Sequence, residues 1–171
     1  HGEVHLEEAD GRREGDRLIS QPIKGTAPRH VDPEQDAALA QALLNSEKDR
    51  AENVMITDLL RNDLGQFCQT GSVNVTELCG LHSYNNVHHL VSTVEGKLAP
   101  GVSAGQMLLA TSPGGSITGA PKKRAVEIIA ELEPAPRGAY CGSLFILVGD
   151  NWLQSSIAIR TLEVTGNTVH C

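Results

Sequence analysis

Helix start and stop signals place two helices side by side in the first half of the chain. Asp32 followed by Pro33 is typical of an N-cap and a first helical residue. Ser46 with an acidic residue three positions later is a second start signal, and Gly65 can end the helix that follows. This second helix is predicted to bury an apolar stripe formed by Val54, Met55, Ile56 and Leu59. Helices that cluster in this way argue against a parallel, doubly wound sheet.

Extended segments surround the helices. Four of them have the alternation or the β-branched content of strands: residues 72–79, 86–98, 139–148 and 152–164. The last two are joined by Gly149-Asp150-Asn151, a hairpin turn. Residues 1–20 predict a weak hairpin or an edge, residues 22–31 a shaped loop, and residues 168–171 a third strand of a meander. Clustered helices and antiparallel strand pairs together predict an α+β fold, with antiparallel sheets flanked by helices.

Composition narrows the classes of function. The chain carries 21 acidic and 14 basic residues, and its net charge of −7 disfavours a nucleic-acid or anionic-membrane partner. No apolar stretch approaches the roughly 20 residues that span a bilayer. The cysteines form no C-x-x-C pair and are Cys68, Cys79, Cys141 and Cys171. Free thiols are therefore expected rather than a zinc site or a disulfide framework, and with them a reducing, cytoplasmic location.

Lys24 is the first candidate for chemistry. It lies between Ile23 and Gly25 in the segment PIKGT. A lysine that a stiff loop holds beside an apolar residue loses hydration, and its amine can then act as a nucleophile. A solvated surface lysine is the alternative, because most lysines are exposed.

A glycine-rich loop at residues 113–121, PGGSITGAP, precedes a helix predicted from Lys122 to Glu133. Such a loop offers backbone N–H groups and the positive end of a helix dipole to an anion. The phosphate-loop pattern G-x-x-x-x-G-K-[ST] and the dinucleotide pattern G-x-G-x-x-G are both missing. A tight turn that only starts the next helix fits the same spacing.

Glu52, His88 and His89 are candidates on two other elements. Glu52 lies in the second helix, from which a carboxylate can reach Mg²⁺, an ion that takes one or two carboxylates plus water and substrate oxygens. An exposed helical glutamate is the alternative. His88 and His89 are adjacent in a strand, so they are predicted to point to opposite faces, with one facing the interior. That histidine is either a hydrogen-bonded core residue or an acid/base group.

Tyr140 and Arg160 form a candidate pair across the predicted hairpin. They are symmetric about Asp150, so they are expected to lie opposite each other on neighbouring strands. An inward arginine beside a tyrosine hydroxyl can bind a carboxylate, whereas a rim arginine with a packed tyrosine is the alternative. Together the candidates describe a cavity for a small dianion with a metal ion.

Six segments occur in an order that resembles one known family. They are PIKGT, SEKDRAEN running into DLLRNDLG, VHHLVSTV, PGGSITGAPK, ELEP and the strand end IRTL. Over about residues 21–171 the chain resembles the chorismate-binding catalytic domain shared by component I of anthranilate synthase, aminodeoxychorismate synthase, and the isochorismate and salicylate synthases. The resemblance implies the anthranilate-synthase type of α+β fold. It also implies that residues 1–171 form a C-terminal catalytic domain that is incomplete at both ends.

The resemblance implies a reaction. Anthranilate synthases carry alanine where this chain has Lys24, whereas the aminodeoxychorismate branch carries lysine. In that branch the lysine amine attacks C2 of chorismate as the C4 hydroxyl leaves. Ammonia from a glutamine amidotransferase subunit then adds at C4, and the lysine departs. The product is 4-amino-4-deoxychorismate, a precursor of para-aminobenzoate and folate.

The resemblance also implies a role for the other candidates. Glu52 matches a glutamate that binds Mg²⁺, and His89 matches a histidine near the leaving hydroxyl. Tyr140 and Arg160 match the pair that holds the enolpyruvyl carboxylate. The pocket-lining hydroxyl residues are matched by Thr26 and Ser116.

Two features of the family pattern depart here. The general-acid glutamate of the family, in an S-P-E-R-F setting, falls at Glu8, whose surroundings read HLEEADG. The family's second group of metal-binding glutamates comes after the last matched segment, IRTL, and has no match in this sequence. Glu52 would therefore be half of a metal site. Two alternatives therefore stay open: anthranilate or isochorismate chemistry on the same scaffold, and a chain that binds chorismate without turnover.

Overall fold

The computed structural model describes residues 10–159 and 161–170, in which two groups of helices separate three groups of strands along the chain. The strands are β1 (Asp10–Glu14), β2 (Arg17–Gln21), β3 (Ile23–Pro28), β4 (Asn74–Ser83), β5 (Val87–Lys97), β6 (Ser143–Val148), β7 (Trp152–Ile157), β8 (Glu163–Thr165) and β9 (Thr168–His170). The helices are α1 (Pro33–Leu44), α2 (Glu47–Gly65), α3 (Ala104–Thr111), α4 (Gly115–Thr118) and α5 (Lys122–Leu132). The predicted α+β class is confirmed.

The main sheet is antiparallel and has the order β3-β5-β2-β1-β7-β6, with β4 on the other side of β5. The predicted hairpin is confirmed as β1–β2, but it lies inside the sheet and not at an edge. Residues 22–31 were expected to form a loop, but six of them form β3. Both differences arise because β2 and β3 pair in succession with the long strand β5, a long-range contact that local turn signals do not report.

The helices cover one face of this sheet. One buried cluster packs Leu18, Leu64, Val94 and Met107 together, and a second packs Leu43 of α1 on β3 and β5. The α2 stripe is not the predicted one, because Val54 and Met55 are half exposed. The buried residues of α2 are Asn53, Ile56, Thr57, Asp63 and Leu64. These residues have the spacing of one helix face, but three of the five are polar. A search for apolar residues at helical spacing therefore does not detect this face.

The predicted hairpin at Asp150 is confirmed, since β6 and β7 pair symmetrically about that residue from Ser143↔Ile157 to Val148↔Trp152. The predicted strand at the end of the sequence is confirmed over residues 168–170, which pair with residues 163–165. The predicted meander is wrong, because β8 and β9 form a separate two-stranded sheet. The two-residue connection Gly166-Asn167, with a positive φ at Gly166, favours pairing between immediate neighbours. The glycine-rich loop also contains the short helix α4, which was not predicted.

Two further expectations concern the environment of the chain. Cys68, Cys79 and Cys141 are free and buried, as predicted, and Cys171 lies outside the described residues. Burial raises the pKa of the Cys68 thiol. None of the helices in the described ranges has the length and apolar character needed to cross a membrane.

Candidate active site

Lys24 lies where strand β3 is irregular. Ile23 pairs with Val91 and Thr26 pairs with His89, so Lys24 and Gly25 together face a single residue of β5, Leu90. This extra residue is a β-bulge, a device that redirects side chains at the edges of sheets and beside functional sites. Lys24 itself is half-buried.

Gly25 brings the backbone beside Lys24 into direct contact with the helices. A Cβ added at this glycine would lie 2.9 Å from Asp49 Cβ and 3.1 Å from Leu43 Cδ1. Its φ of +91° also disfavours any other residue. Asp49 belongs to the first turn of α2, which Ser46 caps by accepting a hydrogen bond from the Asp49 backbone. The lysine-bearing bulge is thus seated on the start of α2.

His89 is buried, and its two ring nitrogens have different surroundings. Nδ1 lies 2.8 Å from the Thr26 hydroxyl oxygen, so two of the predicted site residues, Thr26 and His89, are in contact. Tyr84 presents an edge-to-face ring at a centroid distance of 5.7 Å. Nε2 is buried and has no hydrogen-bond partner among the described residues. An unpaired buried nitrogen of this kind is able to give a proton to a bound molecule or accept one from it.

His88 points to the opposite face, as predicted. Its Nε2 lies 3.1 Å from Asp36 Oδ1 on α1, and its Nδ1 lies 2.7 Å from the Ser83 hydroxyl. The Arg29 guanidinium, which donates two hydrogen bonds to Asp36, holds the pKa of that carboxyl well below its usual range. The expectation that only one histidine faces the interior is wrong: His88 is 3% exposed and His89 is 7% exposed. His88 is a satisfied core histidine, because α1 covers its face of the sheet.

Glu52 lies on α2 one turn after Asp49, the residue that touches Gly25. Its side chain is 45% exposed, and its ion-pair partner is Lys48 Nζ at 3.8 Å. In the described ranges no group of three or more His, Cys, Asp or Glu side chains is close enough to hold a metal ion. A single open carboxylate fits part of a Mg²⁺ site, since that ion takes several of its ligands from water and substrate.

Ser116 lies in α4 and lines a mostly apolar cavity between the sheet and the helices. Asp63 lines the same cavity and forms an ion pair with Lys122 Nζ at 2.5 Å. Gly115 is needed there, because a Cβ at this position would overlap the Leu59 side chain. The described lining of this cavity includes neither Lys24 nor His89. The structure therefore does not place Ser116 in one cavity with these two residues.

Tyr140 stands just before β6 and is half exposed. A hydrogen bond with the Cys141 side chain raises the pKa of its hydroxyl. Tyr140 was expected on a strand, but it lies in a turn, in which the Gly142 N–H donates to the Ala139 carbonyl at 3.0 Å and Cys141 has a φ of +66°. Strand β6 begins only at Ser143, although the Cys141 N–H donates to the Ala158 carbonyl at 2.7 Å. Arg160 and Glu8, however, lie outside the described residues, so their placement stays a prediction.

Several polar residues near these candidates were not predicted. Asn53 follows Glu52 and is fully buried, and Ser92, three residues after His89, is also fully buried. His82 pairs opposite His89 in the sheet, and its Nε2 lies 3.0 Å from both carboxylate oxygens of Glu77. Asn53 and Ser92 both lie in the segments that resemble the family, which was the available signal.

Comparison with known proteins decides the family. The family described as chorismate binding enzyme matches residues 11–171. The chain belongs to the chorismate-binding enzyme family. Aminodeoxychorismate synthase component 1 of Klebsiella aerogenes is 54% identical over 159 residues, which are 93% of this chain and 35% of that protein. Anthranilate synthase component 1 of Streptomyces coelicolor is 45% identical over 159 residues, 93% of this chain and 31% of that protein.

A solved structure of this family has the same fold. Anthranilate synthase component I from Streptococcus pneumoniae TIGR4 matches with a TM-score of 0.79 and 38% sequence identity, over 92% of this chain and 34% of that one. The chain therefore spans about a third of the length of the relatives that it matches.

Proposed function

We propose that the full-length gene product is an aminodeoxychorismate synthase component 1, which uses ammonia to convert chorismate to 4-amino-4-deoxychorismate. The observation that carries the proposal is Lys24, a lysine in PIKGT where the anthranilate branch has alanine. The 54% identity to a relative of that name supports the same branch. The described residues would then be the chorismate-binding catalytic part of a longer protein in para-aminobenzoate and folate synthesis.

Lys24 is proposed as the nucleophile. Its amine forms a bond to C2 of chorismate, the ring double bonds each move by one position, and the C4–oxygen bond breaks. The oxygen leaves as water after it takes up a proton. Ammonia then forms a bond to C4 and loses a proton, the double bonds return, and the C2–nitrogen bond to Lys24 breaks. The bulge supports this role, because Gly25 holds the backbone next to Lys24 against the start of α2.

The other residues are proposed to orient chorismate. His89 is assigned to the leaving hydroxyl, which its unpaired Nε2 is able to bind, while Thr26 holds Nδ1 and fixes the ring. Tyr140 and Arg160 are assigned to the enolpyruvyl carboxylate, and Ser116 to the wall of the pocket. Glu52 would hold Mg²⁺, which when bound neutralises the ring carboxylate.

We further propose that a glutamine amidotransferase subunit supplies the ammonia. The name component 1, given to the Klebsiella relative, implies a second component in that protein's complex. A cytoplasmic location is part of the same proposal, and the three free cysteines in the described residues support it.

Anthranilate formation is the second candidate. The 45% identity to an anthranilate synthase component 1 and the fold shared with another favour it. Both reactions start from chorismate and ammonia, so only the product separates them.

The test is identification of the product. The full-length gene product is incubated with chorismate, an ammonium salt and Mg²⁺, and the products are separated and identified by mass spectrometry. We expect 4-amino-4-deoxychorismate. Anthranilate or isochorismate would contradict the assignment, and chorismate binding in calorimetry without any product would favour the binding alternative.

A further inference from the structure

Asn53 is a polar side chain with no exposed surface, on the face of α2 that meets the sheet. Its Nδ2 donates a hydrogen bond to the Leu90 carbonyl oxygen at 3.0 Å. Its Oδ1 accepts a hydrogen bond from the Ser92 hydroxyl and lies 3.3 Å from the Thr57 hydroxyl. The amide thus uses its donor and its acceptor at once, and a buried polar group of this kind is costly unless it is fully paired.

Ser92 extends the same network into a third element, the strand β4. Its hydroxyl accepts a hydrogen bond from the Cys79 N–H at 2.9 Å, at a point where the pairing of β4 with β5 is irregular. Cys79 has a φ of +52°, which is rare for a residue with a side chain. Asn53 therefore joins α2, β5 and the irregular part of β4 through one chain of hydrogen bonds.

The network connects the elements that carry the proposed catalytic groups. Asn53 is next to Glu52 in sequence, and Leu90, which it binds, is next to His89. Leu90 is also the residue that faces the bulge of Lys24 and Gly25. The Ser92 N–H donates to the Pro22 carbonyl at 3.1 Å, just before that bulge. The helix that carries Glu52 and the strands that carry Lys24 and His89 are thus linked here.

We propose that Asn53 is a positioning residue, which fixes α2 against β5 and so sets the separation of Glu52 from Lys24 and His89. The inference rests on the proposed function for the roles of those three residues. Asparagine suits this task because neither aspartate nor leucine offers an amide donor to the Leu90 carbonyl together with an acceptor for the Ser92 hydroxyl. The shared hydrogen bonds make the effects of Asn53 and Ser92 interdependent.

The experiment compares Asn53→Ala with a matched control in the full-length gene product. The control is Leu98→Ala, a buried residue of the core that follows β5 and lies nine positions after His89. At about 3.3 Å per residue this is about 30 Å along the strand direction. Three quantities are measured: the thermal midpoint, kcat and KM for chorismate, and the ring nitrogen resonances of His89 in ¹⁵N spectra.

Both variants are expected to lower the thermal midpoint. Only Asn53→Ala is expected to shift the His89 resonances and to lower kcat/KM by at least about tenfold, since a shift of the helix by even 1 Å costs about a hundredfold in some sites. Equal kinetics and equal His89 spectra in the two variants would overturn the proposal.

Ser92→Ala keeps the test open if Asn53→Ala fails to fold, because it removes one hydroxyl from the same network. An unchanged His89 spectrum in that variant would also overturn the inference. The spectra need no turnover, so they decide the role of Asn53 even if the wild-type protein makes no aminodeoxychorismate. A wild-type protein that makes no aminodeoxychorismate would instead contradict the proposed function.

Discussion

Strands β5 and β6 show how weakly the apolar character of a segment decides its burial. β5 reads VHHLVSTVEGK, contains two histidines, and is buried except at three residues. β6 reads SLFILV, contains five apolar residues in succession, and is exposed along its whole length in the described structure. The difference lies in the neighbours, since β5 pairs with β2, β3 and β4 beneath α1 and α2, whereas β6 pairs with β7 alone among residues 10–159 and 161–170.

The comparison also shows where polar groups are stable. His88 and Ser92 of β5 are buried, and each of them is hydrogen-bonded to a helix side chain. The described residues of β6 pair with β7. None of their side chains forms a described polar contact with a helix. His89, one of the proposed site residues, thus lies on a strand whose other polar side chains are held in place, as pre-organised sites require.

The largest expected effect is a difference in unfolding free energy between two substitutions by alanine, one on β5 and one on β6. Leu90→Ala removes a side chain with no exposed surface and should cost about 2–5 kcal/mol of unfolding free energy. Ile146→Ala on β6, which is 60% exposed, should cost less than about 1 kcal/mol. Urea unfolding of the 171-residue chain measures both. Equal costs would show that β6 is packed against something in solution.

A smaller effect is expected beneath β5 at Asp36, the carboxylate shared by Arg29 and His88. Its pKa is held below the ordinary value, so its stabilising contribution is present above the unfolded pKa of about 3.9 and is lost as pH falls below it. Asp36→Asn should therefore lower the thermal midpoint at pH 6 and flatten its decline between about pH 5 and pH 2.

The matched control for Asp36 is Asp58→Asn, an exposed carboxylate paired with Arg61 on α2. Exposed pairs of this kind contribute little, so this variant should keep the wild-type dependence on pH. If the thermal midpoint of Asp36→Asn declined between about pH 5 and pH 2 as steeply as that of wild type, the pair of Asp36 with Arg29 would not stabilise the fold.

Local signals in the sequence predicted the parts of the fold that depend on local chemistry. Asp32 and Ser46 cap α1 and α2 as predicted, because N-cap bonds involve residues only two or three positions apart. The place of the β1–β2 hairpin was not predictable in this way, since it depends on pairing with β5 and β7 across the chain.

In the candidate site, too, some residues were predicted from the sequence and others were not. Thr26 and His89 were both predicted as residues of one pocket through the segments that resemble the family, and the structure adds a hydrogen-bond contact between them that was not predicted. Asn53 was missed, because a polar residue on the buried face of a helix interrupts the apolar pattern. The roles of Lys24, Glu52 and the other site residues stay predictions.

The most direct test of the central proposal is Lys24→Ala in the full-length gene product, with the exposed Lys97→Ala as the control. Calorimetry measures chorismate binding, and mass spectrometry measures the aminated product. We predict that Lys24→Ala keeps chorismate binding and lowers formation of 4-amino-4-deoxychorismate by about 1,000-fold or more, while Lys97→Ala behaves as wild type. Near-normal turnover in Lys24→Ala would contradict the account, because the reaction would then not need that amine.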